Sequence, residues 1–228
     1  INPKFSVMCK EVTELHGQTY HCWKKKGHRQ MNLRNAIKQS CDIYFYEVAR
    51  RLGVDRLSVT AKKFGLGSKV LDSIGEEKNG LVPNTKWKIQ TLGKGWVLGE
   101  TLIAGIGQGY FLSTPLQLCL MIAQIANGGY KIKPKILYNE KEMESIINVW
   151  NDHFISKNEE KNFLEKAMPN YSKYTLEPLY RNEENIKFII DALYGATNEP
   201  MGTSYRSRHI KKEYIYAGKT GTSQIRKI

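Results

Sequence analysis

The sequence has no long hydrophobic run. Its longest apolar stretch, 118–126, is nine residues with Gln124 inside it. A bilayer-spanning helix needs about 20 apolar residues, so no transmembrane helix is predicted. No apolar targeting segment follows Ile1, which is not an initiator Met, and the chain reads as an excerpt of a longer protein. No internal repeat is present, which excludes a solenoid or propeller. Acidic residues are scarce: 22 Asp and Glu stand against 35 Lys and Arg, a net charge of +13. Such a balance attracts polyanions such as nucleic acid, anionic lipid or cell-wall polymer. The basic residues are dispersed, with small clusters at 24–26 and 206–212. No nucleic-acid-binding signature accompanies them, so no nucleic-acid partner is expected. What is present is a 41% hydrophobic fraction, enough for a core, so global disorder is excluded. The 228 residues correspond to one large domain or two small ones.

Residues 1–32 are polar and read as irregular. Leu33, Ile37, Tyr44 and Val48 recur at helical spacing and predict a helix over 33–52, stopped by Gly53. A short helix over 55–64 follows, ended by Gly65 and Gly67. Residues 65–100, rich in Gly, Trp and Lys, read as an extended surface excursion. Thr114 as N-cap and Pro115 in the first turn open a helix that runs to Ala126 and stops at Asn127-Gly128-Gly129. A short strand is predicted over 131–137, an acidic Asn-rich insertion over 138–180 and an amphipathic helix over 184–196. Residues 214–224 alternate as a strand of small residues. Periodicity alone gives a mixed α and β fold.

The four cysteines are unevenly spread. Cys9, Cys22 and Cys41 crowd into the first 41 residues beside His16, His21 and His28. Cys9, Cys22, His28 and Cys41 would supply the Cys₃His set of a closed structural zinc site. Their spacing, C-x12-C-x5-H-x12-C, is not a tight knuckle, and spacing leaves zinc, a disulfide and unpaired thiols all open. Cys119 lies in the apolar helix and is expected to be buried and inert.

Two nucleotide motifs fail. Gly218-Lys219-Thr220 lacks the earlier Gly of a phosphate loop, since Glu213 stands there. Gly105-Ile106-Gly107 meets Tyr110 where a dinucleotide fingerprint needs its third Gly. Ser40-Cys41-Asp42 and Lys219-Thr220-Gly221 fit a different chemistry. A hydroxyl, a carboxylate and an ammonium converging on one cleft suit acyl transfer, and S-x-x-K, S-D-N and K-T-G form the set used by penicillin-binding proteins.

Further stretches carry the same signal. They are Tyr20-His21-Cys22-Trp23-Lys24-Lys25 with Gly27-His28, Ser40 to Tyr46, Phe64-Gly65-Leu66-Gly67, Gly80-Leu81-Val82-Pro83 and Trp87-Lys88. Then come Gly99-Glu100-Thr101, Gly105-Ile106-Gly107-Gln108-Gly109-Tyr110, Thr114-Pro115-Leu116-Gln117, and Ala217 to Gln224. In this order the chain resembles the transpeptidase domain of class B penicillin-binding proteins of the penicillin-binding protein 2 branch. These are peptidoglycan D,D-transpeptidases of cell-wall elongation.

The resemblance implies a serine-transpeptidase, β-lactamase-like α/β (α+β) domain truncated at both ends. It would hold a zinc-binding segment at 1–32, a helical subdomain at 33–137, the insertion at 138–180, and a helix with the K-T-G strand of an antiparallel sheet at 181–228. Ser40 would relay protons, and Asp42 stands where many relatives carry Asn. Lys219 would supply positive potential for the stem peptide's terminal carboxylate, and Thr220 and Thr222 would hydrogen-bond it. Gly221 and Gln224 complete the substrate strand, which would pair with the peptide by edge-strand addition. The backbone N–H of Thr222 would form half the oxyanion hole. Zinc would take Cys9, Cys22, His28 and Cys41, and catalysis would need no cofactor. The implied partners are peptidoglycan stem peptides, β-lactams and elongation-complex membrane proteins. The implied location is the periplasmic side of the bacterial inner membrane.

One element of the family's set is missing. None of the serines has Lys three positions later, so S-x-x-K is absent. The chain alone is therefore expected to be inactive and not acylated by β-lactams. The alternative is a non-catalytic zinc-containing binding module derived from the same domain.

Overall fold

The computed structural model describes residues 2, 4–71, 75–136, 139–141, 143, 144, 148 and 177–223. Most of the predicted insertion at 138–180, and Gln224, lie outside them.

The opening segment is not irregular. It forms two antiparallel strand pairs: β1 (Ser6–Cys9) with β4 (Arg29–Asn32), and β2 (Val12–Leu15) with β3 (Gln18–His21). The β2–β3 turn is His16-Gly17, with φ of 49° and 77°. Two positive φ values give the mirror-image turn whose twist suits a two-residue hairpin. Strands of four residues among charged neighbours leave too short an alternation to read from sequence.

The helix predicted over 33–52 is two helices. Helix α1 (Leu33–Gln39) is opened by Asn32, whose side chain accepts from Asn35 N, and α2 (Asp42–Leu52) ends at Gly53. Between them Ser40 adopts φ 51° and ψ 53°, a left-handed conformation, and Cys41 caps α2. The apolar spacing continues across this break, so periodicity could not reveal it. Helix α3 is Val54–Lys63.

The predicted surface excursion also contains order. Helix α4 (Thr85–Leu92) is capped by Asn84 and stopped by Gly93 at φ 64°, and α5 (Leu98–Ala104) begins before residue 100. Asn84 and Gly93 were readable start and stop signals hidden by the surrounding Lys and Gly. Helix α6 is Pro115–Ala126, with Thr114 and Gln117 capping each other, as its first residues predict. Helix α7 is Glu183–Asn198.

No strand forms at 131–136; Tyr130 makes one isolated bridge, to Pro178. Residues 215–223 also form no strand, and no strand lies beside them among the described residues. The Gly218 N–H instead donates to Leu193 O of α7, and Asn198 Nδ2 donates to Tyr216 O. A strand is defined by its ladder, and alternation alone cannot supply a neighbour.

The chain divides into two units: residues 1–62, 81–112 and 188–228, and residues 63–80 and 113–187. The first unit's core joins Cys9, Tyr20, Cys22, Met31, Ala36, Cys41, Ile43, Tyr44, Tyr46 and Leu102. Tyr20 meets Tyr46 edge-on at 5.7 Å, and Tyr46 Oη donates to His21 O. Helices α2 and α5 pack so closely that a Cβ on Gly105 would lie 2.4 Å from that of Ala49. Lys88 Nζ pairs with Glu100 Oε1 at 2.5 Å inside a cage of Trp96 and Tyr110. Burial raises the carboxyl of Glu100, but Lys88 and the Val97 N–H outweigh it and hold it low.

In the second unit α6 buries its polar residues. Gln117 Nε2 donates to Ser68 O and Asn79 O, and Gln124 Nε2 donates to Phe64 O. Leu118, Cys119 and Ile122 are exposed. Cys119 is thus not buried as expected: the helix turns the two Gln side chains inward to bond loop carbonyls, and its apolar neighbours face out.

Candidate functional site

Ser40 and Lys219 meet, although 178 residues separate them in sequence. The Lys219 ammonium hydrogen-bonds the Ser40 hydroxyl and donates to Thr220 O at 3.1 Å. Ser40 Oγ lies 3.3 Å from Thr220 Oγ1, which donates to Thr203 Oγ1 at 3.1 Å. Lys219 and Thr220 are exposed and Ser40 and Thr203 half-buried, so a ligand can reach the cluster. Desolvation pushes the Lys219 ammonium pKa below its usual value, and the nearby Asp42 charge opposes that push.

Local structure explains the meeting. The left-handed turn at Ser40 lifts its hydroxyl off the end of α1. Non-Gly residues hold such a conformation only where their surroundings fix it, and these cases cluster at functional sites. The other side of the cleft comes from the C-terminal end of α7. There Gly202 has no room for a side chain, since its Cβ would lie 2.4 Å from Ala196 O. This tight turn lets Thr203 N donate to Lys38 O and brings Thr203 under Thr220. Arg34 and Lys38 of α1 clamp Glu199, both at 2.6 Å, and Arg34 also grips Asp191. Helices α1 and α7 are thereby joined behind the cleft.

Asp42 takes a different place. Its Oδ2 accepts from the Trp23 N–H at 3.0 Å, and burial raises its carboxyl pKa. No hydrogen bond joins it to Ser40 or Lys219 among the described residues. Gly221 and Thr222 follow Thr220 on the surface, with no hydrogen bond to the cluster among the described residues. Thr203 was not singled out from sequence, and Trp23 appeared only within the matching stretch Tyr20 to Lys25, with no role assigned to it. In sequence, Pro200 and Gly202 punctuate the end of α7 and mark the turn before Thr203; in the structure Met201 there has φ 68°.

Directly behind Ser40 is a second cluster. Cys9, Cys22, His28 and Cys41 are all buried, and their ligand atoms lie within 4.8 Å of one another. His28 Nδ1 lies 3.3 Å from Cys22 Sγ and 3.6 Å from Cys9 Sγ. A tetrahedron with zinc–sulfur bonds of about 2.3 Å and zinc–nitrogen bonds of about 2.0 Å has sulfur–nitrogen edges of about 3.5 Å. The donor set and spacing therefore fit a tetrahedral ion. His28 Nε2 is buried without a hydrogen-bond partner. The turn holding Cys22 and His28 is tight: a Cβ on Gly27 would lie 2.2 Å from Cys9 O. Hydrogen bonds from Cys41 and His28 pull the Cys22 thiol down to about 3, while donation to Cys22 and burial push Cys41 up.

Comparison with known proteins agrees with this geometry. The family described as penicillin binding protein transpeptidase domain matches residues 1–227. The peptidoglycan D,D-transpeptidase MrdA of Salmonella typhimurium is 32% identical over 206 residues, covering 90% of this chain and 30% of that protein. MrdA of Acinetobacter baumannii is 43% identical over 115 residues, 50% of this chain and 17% of that protein. The structure of penicillin-binding protein 2 of Helicobacter pylori in complex with MreC superposes with a TM-score of 0.77 at 28% identity, covering 99% of this chain and 36% of that one. Penicillin-binding protein 2 of Pseudomonas aeruginosa, in complex with WCK 5153, gives 0.76 at 29% identity, covering 99% and 46%. The chain spans about a third of the length of such relatives.

Proposed function

Because this chain belongs to the penicillin-binding protein transpeptidase family, in its class B penicillin-binding protein 2 branch, we propose that it holds the proton-relay and carboxylate-binding half of a peptidoglycan D,D-transpeptidase site. The observation that carries the reading is the hydrogen-bonded set of Ser40, Lys219 and Thr220, drawn from opposite ends of the sequence. Lys219 offers positive charge and Thr220 a hydroxyl to the terminal carboxylate of a stem peptide or to that of a β-lactam. Ser40, bonded to Lys219, passes a proton between the attacking hydroxyl and the leaving amine. A lowered ammonium pKa at Lys219 makes that transfer easier. Asp42 acts on Lys219 through its charge, with no direct hydrogen bond to it. Thr222 would offer its N–H to the oxyanion, and Gly221 and Gln224 would line the peptide's path.

The acyl-accepting hydroxyl must come from an S-x-x-K segment, which none of this chain's serines provides. By itself the chain binds such ligands without being acylated. The experiment is a titration of isotope-labelled chain with a short synthetic peptide ending in two D-alanines. Shifts centred on Ser40, Lys219 and Thr220, abolished by Lys219→Ala, support the reading. Shifts unaffected by that substitution, or no shifts at all, contradict it.

Cys9, Cys22, His28 and Cys41 would hold a zinc ion in a closed structural site. The ion would brace the turn behind Ser40 and take no part in the chemistry. Freshly purified protein should contain about one zinc per chain. Less than about a tenth of an equivalent would contradict the assignment.

The MreC complex of the Helicobacter pylori protein supports elongation-complex membrane proteins as partners of the parent protein. A cell-wall substrate places the work on the periplasmic side of the inner membrane. No helix among the described residues is long and apolar enough to cross a membrane.

A further inference from the structure

One side chain connects the metal-type cluster to the cleft. Trp23 directly follows Cys22, and its indole stands edge-on to the His28 ring, centroids 5.4 Å apart. Its Nε1–H donates to Ser40 O at 2.7 Å and reaches Gln39 O at 3.2 Å. Its backbone N–H donates to Asp42 Oδ2. The three acceptors bracket Cys41, the fourth member of the cluster. The carbonyls of Gln39 and Ser40 end α1, where helix geometry leaves carbonyls without intrahelical partners. Trp23 satisfies them from outside the helix. It does so while 59% exposed, so burial of its ring does not account for its placement. Ser40 is the residue whose left-handed backbone needs holding, and its carbonyl is the one Trp23 grips at the shorter distance.

We propose that Trp23 is a positioning residue that couples occupancy of the Cys9, Cys22, His28 and Cys41 site to the backbone of Ser40, and so to the aim of its hydroxyl at Lys219 and Thr220. The value of that aim rests on the transpeptidase reading; the coupling itself does not. With a metal held, the turn carrying Cys22 and His28 is fixed and the indole stays on the Ser40 carbonyl. Without it, the turn is free and the grip loosens.

The test is site-resolved amide hydrogen exchange on the metal-loaded chain. The Ser40 and Cys41 N–H groups donate to Ile37 O and Ala36 O, so their exchange reports opening of the junction. In Trp23→Phe they should exchange about fivefold faster, the size expected for one lost hydrogen bond, while amides of the β2–β3 hairpin keep their rates. Cobalt loaded in place of zinc should keep its thiolate absorption, since no ligand is changed. Chelation should accelerate the same two amides in the unsubstituted chain and add nothing at them in the variant. Unchanged rates at Ser40 and Cys41 would overturn the proposal. So would equal acceleration everywhere with loss of the cobalt absorption, or a chelation effect as large in the variant as in the unsubstituted chain. If Trp23→Phe does not fold, an isosteric side chain with sulfur replacing the indole N–H removes only the donor and is judged by the same outcomes. Penicillin capture plays no part, so failure here leaves the transpeptidase reading untouched.

Discussion

Gly27 has the least room of the glycines near the site. Its φ is +70°, and an added Cβ would meet Cys9 O at 2.2 Å and Glu11 N at 2.6 Å, both backbone atoms that cannot swing away. Gly27→Ala should therefore lower stability by about 3 kcal/mol, read as a fall in the urea midpoint, and should reduce bound zinc. A stability loss of less than about 0.5 kcal/mol would contradict the geometry. At this scale the sequence was legible wherever chemistry is concentrated in a short motif. Ser40, Lys219 and Thr220 come together, and the four residues read as zinc ligands form one cluster. The roles of Trp23 and Thr203 were not legible. Each acts through a contact to a residue distant in sequence, and neither indole nor threonine carries a signature of that role.

At the scale of elements, capping chemistry read well and periodicity read less well. Thr114, Pro115 and Gly53 mark real helix ends, but the break at Ser40 hides inside an uninterrupted apolar rhythm. The four-residue strands and the missing ladder beside 215–223 depend on pairing, which no local pattern encodes. The α1–α7 junction gives a pH prediction. Glu199 is held down to about 2, chiefly by Arg34 and then Lys38, from an ordinary value near 4.5. A depressed folded-state pKa stabilises above the unfolded value, and that stability is lost as pH falls from about 4.5 towards about 2. The Arg34 and Glu199 side chains are 29% and 31% exposed, so solvent screening leaves about 1–2 kcal/mol. Glu199→Gln should flatten the acid limb of the stability curve by that amount; an unchanged limb would refute the account. Helix α6 gives a second prediction. Its Cys119 is exposed while the other three thiols are buried. A thiol reagent should modify one cysteine quickly in the folded, metal-loaded chain and all four only after unfolding. Fast modification of more than one would contradict the burial of the cluster.

At the scale of the molecule, the two units are both discontinuous in sequence, and a linear reading of the chain does not divide it that way. The fold class was legible because the matching stretches are ordered along nearly the whole chain, and the family match covers residues 1–227. The net charge of +13 attracts polyanions without choosing among them. The central claim is that this chain carries a working half of a serine transpeptidase site. The most direct measurement is covalent capture of a fluorescent penicillin. It should compare this chain, the same chain joined to the flanking transpeptidase segments of the Salmonella typhimurium relative, and the joined form with Lys219→Ala. The account predicts labelling of the joined form alone, with Lys219→Ala reducing its rate by at least about a hundredfold. Labelling of the chain by itself, or a folded joined form that captures no penicillin, would contradict it.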